Sequence, residues 1–159
     1  MEVQADFRDL LARFNDHGVE YLIVGAYALA FHGVPRGTGD LDIWLRPDGD
    51  NARRILAALD DFGFGSLGLV QEDFLVADRV IQLGVVPVRV DLLFSISGVS
   101  WEDADRGRVA ALYGDVPVWF LARKDFIANK RATGRLKDLA DLEALGEGKQ
   151  GIDPNGEGK

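Results

Sequence analysis

The sequence has no cysteine, which excludes disulfides and thiolate metal sites. Its only imidazoles are His17 and His32, too few for a multi-histidine zinc centre. No apolar run reaches the roughly 18 residues of a membrane span. The opening Met1-Glu2-Val3-Gln4 is not the basic-then-apolar start of a signal peptide. These absences predict a cytoplasmic location and no membrane partner. Positive charge is also scarce: 18 Lys and Arg against 26 Asp and Glu leave a formal net charge of −8. That balance argues against broad, nonspecific binding to nucleic acid, but it leaves room for a local basic site.

The 159 residues, 47% of them hydrophobic, suffice for one domain with a real core. That domain is expected over 1–145. The tail, 146–159, holds five glycines, a proline and almost no apolar residues, a composition that predicts disorder. No internal repeat is present.

The hydrophobic pattern predicts a helix over 6–17, with Phe7, Leu10, Leu11 and Phe14 at i, i+3, i+4 and i+7. Gly18 stops it, and His17 reads as a surface residue. A buried strand over 21–24 follows, then Gly25, a short helix to Phe31, and a loop broken by Gly33, Pro35, Gly37 and Gly39. Residues 40–45 form the next strand, with Trp44 in the core. A helix over 52–60, capped by Asp48 or Asp50, comes next. The segment 62–68 reads as loop, and 69–77 is ambiguous. Strands are predicted over 79–83 and 88–94, with a turn around Gly84. Val88, Val90, Leu92 and Phe94 share the core face; Arg89, Asp91 and Leu93 share the other. Ser100 opens a short acidic helix. A hairpin (109–113 and 116–121, joined by Gly114-Asp115) and two helices (123–132 and 136–145) complete the chain. Trp101 and Trp119 carry no assigned role.

The chemistry concentrates on three aspartates. Asp40 and Asp42 alternate at the start of a strand, so their side chains face the same way, about 6.5 Å apart along the backbone. Two carboxylates so placed repel unless a cation lies between them, and a hard divalent ion such as magnesium or manganese suits oxygen ligands. Asp91 sits in an otherwise apolar strand, where a lone carboxylate is costly unless paired or ligating. If its strand neighbours that of Asp40 and Asp42, three carboxylates converge, the donor set of a two-metal phosphoryl-transfer site. A pair with Arg89 is the structural alternative for Asp91.

Read together, Leu22-Ile23-Val24-Gly25-Ala26, thirteen further residues, Asp40-Leu41-Asp42 and the later Asp91 resemble the DNA polymerase β-like nucleotidyltransferase superfamily. The phrase His32-Gly33-Val34-Pro35-Arg36 before Asp-Leu-Asp-Ile is similar to its minimal bacterial subgroup, which includes AbiEii-type toxins and small antibiotic nucleotidyltransferases. The likeness covers roughly 6–145. It implies an α/β fold: a small mixed sheet flanked by helices, with a helical appendage at about 123–145. It also implies an enzyme that moves an NMP from an NTP, such as ATP, to an acceptor hydroxyl on tRNA, protein or a small molecule. An antitoxin protein is an implied partner. The family has Gly-Ser or Gly-Gly where this chain has Gly25-Ala26, so one phosphate-bonding hydroxyl is missing.

A second cluster lies over 123–137: Arg123, Lys124, Lys130, Arg131, Arg135 and Lys137 against one acid, Asp125. It resembles the basic helix and Lys-Asp ending of the AbiEii-like group. By that match Lys130 contacts nucleotide phosphates and Asp138 helps shape the site, with Arg135 and Asp141 as further members. The structural alternative is a solvated helix face with pairs such as Lys137 with Asp141.

The reading that follows gives Asp40, Asp42 and Asp91 as ligands of Mg2+ or Mn2+ and as catalytic residues together with Lys130. Gly25, Ala26, Arg36, Lys130, Arg135 and Asp138 bind the nucleotide. His32 is a packing or hydrogen-bonding residue. Two other classes stay open: a catalytically silent nucleotide-binding module, suggested by Ala26, and a metal-free interaction domain.

Overall fold

The computed structural model describes residues 3–34, 39–85 and 88–146. The loop residue Arg36 and the tail beyond Gly146 therefore lie outside the described residues. Helix α1 (Ala5–Asp16) buries Phe7, Leu10, Leu11 and Phe14, the stripe set by their spacing. Strand β1 (Tyr21–Val24) is buried along its whole length and passes directly into α2 (Gly25–Phe31). Strand β2 (Asp40–Leu45) and helix α3 (Gly49–Phe62) follow; Asp48 caps α3 by accepting the Asn51 N–H at 2.7 Å.

Two short 3-10 turns, Gly65–Leu67 and Gln71–Phe74, occupy the ambiguous segment, and Phe74 anchors it in the core. Strands β3 (Val80–Val85) and β4 (Val88–Leu93) pair antiparallel. The expected turn at Gly84 is displaced. Gly84 lies inside β3, opposite Arg89, at φ 73°, and a Cβ there would stand 2.3 Å from the Val88 carbonyl. The glycine thus serves a close backbone approach within the ladder. Helix α4 (Trp101–Gly107), the hairpin β5 (Val109–Tyr113) and β6 (Val116–Phe120), and helices α5 (Arg123–Thr133) and α6 (Leu136–Ala144) complete the fold.

The six strands form one mixed sheet in the order β3-β4-β2-β1-β6-β5. β2 runs antiparallel to β1 and parallel to β4, while β1 runs parallel to β6. Alternation sends Leu41, Ile43, Val90 and Leu92 to the face covered by α1 and α3. Asp40, Asp42 and Trp44 point to the other face, where Trp44 meets Trp101 of α4 edge-on at 5.2 Å. Fully buried Asn51 ties the sheet to α3: its amide donates to the Glu20 and Arg46 carbonyls at 3.0 Å each and accepts from the Glu20 N–H at 2.8 Å. That clasp joins the start of β1 to the end of β2 and so fixes their register. Among the described residues no helix is long and apolar enough to cross a membrane.

Candidate active site

The register of β2 and β4 pairs Asp42 with Asp91 and Asp40 with Arg89. Three carboxylates thereby share one sheet face on adjacent strands. On the other side of β2, Val24 pairs with Asp42, so Gly25 begins α2 directly against that carboxylate. Gly25 adopts φ 67°, and a Cβ on it would fall 2.2 Å from Asp42 Oδ2. The glycine is needed twice: for a backbone region that other residues rarely enter, and to leave space for Asp42.

These groups floor a cleft of about 930 Å³ whose wall also includes Ala26, Arg79, Ser97, Asn129, Lys130, Thr133, Arg135, Lys137 and Asp141. Helix α5 is held over it by the loop after β4. Asn129 donates to the Ser97 carbonyl at 2.9 Å, and Gly98, at φ 80°, leaves no room for a Cβ against Ala132 and Ala128.

Burial, reinforced by the charges of Asp91 and Asp40, pushes the Asp42 carboxyl up to about 6; Lys137 and Lys130 offset part of this. The donor set is three hard oxygen groups on one sheet face, a chemistry that fits a divalent cation. The side chains do not yet close on one. Among the described residues, no three carboxylate or imidazole groups are gathered so as to hold a metal ion. Asp91 is instead turned onto Arg89, whose Nε and terminal nitrogen donate to its two oxygens at 3.0 Å each. The same Nε lies 3.8 Å from Asp40 Oδ2. The Arg89 pair considered for Asp91 is therefore present, in addition to the shared carboxylate face.

The basic segment divides. Lys130 is buried and lines the cleft, with its Nζ 3.3 Å from Asp138 Oδ1 and 3.8 Å from Asp141 Oδ2. Asp138 is fully buried and is no part of the cleft wall. It accepts from Thr133 Oγ1 at 2.5 Å and from Arg135 Nε at 2.7 Å and backbone N at 3.2 Å. It acts on the cleft by holding Lys130 and Arg135. Lys124 is exposed and packs beside Gly107, away from the cleft. Arg89 entered the sequence reading only as a partner for Asp91 and Lys137 only as a member of the basic cluster; Lys137 lines the cleft, and Arg89 acts on it through Asp91. His32 Nε2 donates a 2.7 Å hydrogen bond to the Leu121 carbonyl and His17 Nε2 one of 3.1 Å to Asp61, so neither joins the site.

Hydrogen bonds from Arg135, foremost, and Thr133 hold the Asp138 carboxyl well below the usual carboxylate range, against its burial. A folded pKa below the unfolded one gives stability that is complete above about pH 4 and lost as pH falls further. Asp138→Asn should therefore melt lower than the parent at pH 7, by on the order of 3 kcal/mol for a broken buried pair. The two proteins should converge toward pH 2. Melting curves across pH check this; a constant gap down to pH 2 would remove the charge explanation.

No protein-family model matches the chain. No curated protein matches it either. Solved structures do resemble it. A protein described as a "putative nucleotidyltransferase" from Thermotoga maritima aligns over 92% of this chain and 94% of its own, with a TM-score of 0.55 and 15% identity. The chain has a nucleotidyltransferase-like fold. An antigenic nucleotidyltransferase-like protein from Paracoccidioides brasiliensis aligns over 87% of this chain and 72% of its own, with a TM-score of 0.51 and 14% identity. At such identities the shared property is the fold: a mixed sheet with flanking helices, as the α/β reading anticipated. Within this nucleotidyltransferase-like fold, the cleft is where Asp40, Asp42 and Asp91 meet the edge of α5 and α6.

Proposed function

We propose that the chain is a metal-dependent nucleotidyltransferase that moves an NMP from an NTP to an acceptor hydroxyl. The observation that carries this reading is the register placing Asp42 beside Asp91, with Asp40 on the same face, across a cleft from Lys130, Arg135 and Lys137. Asp40, Asp42 and Asp91 would hold magnesium or manganese, which when bound supplies charge for the triphosphate and lowers the pKa of an acceptor oxygen. Asp91 is the group positioned to take the acceptor's proton. The backbone N–H groups of Gly25 and Ala26 bond phosphate oxygens, as helix starts do. Lys130, Arg135 and Lys137 compensate charge developing on the departing pyrophosphate. Arg36 is assigned to the triphosphate on the sequence pattern alone. The acceptor is RNA, protein or a small molecule, and a role as the toxin of a toxin–antitoxin pair is the corresponding biological setting. The departure at Ala26 favours one second reading, a nucleotide-binding module without turnover. Release of pyrophosphate from labelled NTP with magnesium, over a panel of RNA, protein and antibiotic acceptors, tests the proposal. Binding of nucleotide without turnover would select the second reading.

The cations of the cleft should separate by substitution. Lys137→Ala removes an exposed charge and should cost about tenfold in kcat/KM, the worth of one charge-assisted contact, with little change in Tm. Lys130→Ala should cost about ten- to a hundredfold in activity and also destabilise, because it removes the buried ammonium that faces Asp138 and Asp141. Lys124→Ala, on the far side of α5, should change neither. Equal activity in all three variants would return the basic segment to a solvated face.

A further inference from the structure

The guanidinium of Arg89 occupies a position that the proposed chemistry assigns to a cation. It binds both oxygens of Asp91 at 3.0 Å and lies 3.8 Å from Asp40 Oδ2. The geometry is a planar fork on a carboxylate, the strongest form of such a pair. The contact is also built into the sheet. Arg89 and Asp91 are two apart on β4, and the β2–β4 register sets Arg89 directly opposite Asp40. The Arg89 and Asp91 side chains are 30% and 13% exposed, so water screens the pair only partly.

We propose that Arg89 is a gate on the carboxylate site, holding Asp91 away from divalent cations until a nucleotide triphosphate gives the guanidinium another anion to bind. This inference rests on the nucleotidyltransferase reading and adds to it an order of events. A carboxylate engaged by a bidentate arginine has to give up at least one of those bonds to ligate. Without nucleotide, Arg89 therefore lowers the affinity of Asp91 for a cation while relieving the repulsion among the three aspartates. With nucleotide, the phosphates bring new anions to the carboxylate face, and Arg89, opposite Asp40 and bonded to Asp91 on that face, exchanges Asp91 for them. Asp91 is then released in the complex that needs it, which keeps a reactive metal centre from forming on the empty protein. Arg89 acts through Asp91 and is a positioning residue.

The test uses Mn2+ binding to the full chain, followed by its electron paramagnetic resonance, so that it does not depend on turnover. Without nucleotide, Arg89→Ala should bind Mn2+ about ten- to a hundredfold more tightly than the parent, the release of one or two charge-assisted bonds. Asp91→Asn in that background should remove the gain. A nonhydrolysable NTP should bring the parent to the affinity of Arg89→Ala. Arg89→Lys, which keeps the charge without the fork, should fall between and serves if the alanine variant does not fold. Affinity in Arg89→Ala or Arg89→Lys no tighter than in the parent would overturn the gate, while parental Mn2+ binding with the analogue would leave the functional reading standing. Failure of the parent to bind Mn2+ even with the analogue would overturn both.

Discussion

Asp42→Asn should lower nucleotidyl transfer about a thousandfold or more, on the order of 4 kcal/mol at 1.36 kcal/mol per tenfold, while making the metal-free protein more stable at neutral pH. Both effects follow from one position. Asp42 pairs in register with Asp91, shares a face with Asp40, and is pushed up to about 6 by burial and then by those two charges. A carboxyl whose folded pKa exceeds its unfolded value contributes stability below about pH 4. That contribution is lost as pH rises through about 6. At pH 8 the ionised Asp42 is thus a cost, which the amide avoids at nearly equal size. The shift corresponds to about 2 kcal/mol after allowance for screening, or a rise in Tm of roughly 5 °C for a chain of this length. The gain should vanish at pH 4. Turnover assays and melting curves at both pH values check the pair of effects. Retained turnover would remove Asp42 from the mechanism, and a fall in Tm at pH 8 would contradict its charge state.

The second large effect is expected at Gly25. Alanine there enters a left-handed backbone region, at a cost of about 1–2 kcal/mol. Its Cβ would lie 2.2 Å from Asp42 Oδ2, so the carboxylate must move off its position beside Asp91. A misplacement of about 1 Å at a reacting centre costs about a hundredfold. Activity and stability should therefore both fall. The two components separate in a double-mutant cycle. Gly25→Ala should destabilise less in an Asp42→Ala background, where only the backbone strain remains, with a coupling of about 1 kcal/mol or more. Strict additivity would show that the two residues do not touch.

The elements and their faces were legible where local rules decide them. The stripe Phe7, Leu10, Leu11 and Phe14, the alternation through Asp40 and Asp42, and the run Tyr21 to Val24 each gave the element found, and Ser100 and Asp48 capped the helices expected of them. Gly84 misled because a glycine at positive φ marks a turn and a close backbone approach equally well, and only the ladder tells them apart. Asn51 gave no signal: a polar residue near a helix start looks exposed until β1 and β2 bring two carbonyls to it. In the site, same-face alternation identified Asp40, Asp42 and Asp91, but the neighbour relation of β2 and β4 is a long-range pairing that no local pattern contains. Lys130 and Asp138 were noticed as motif residues with separate roles, a phosphate contact and a residue that shapes the site. Their separate positions, one on the cleft and one beneath it, depend on how α6 packs against α5. Arg89 was visible as a partner for Asp91, yet its reach to Asp40 exists only in the sheet.

The central claim is that the three aspartates form a metal-assisted nucleotide site. It is tested most directly by titrating the protein with a nonhydrolysable NTP, with and without magnesium, in the parent and in Asp42→Asn. The account predicts binding that requires magnesium in the parent and is lost in the variant. Binding of equal strength without magnesium, or equal in Asp42→Asn, would contradict it.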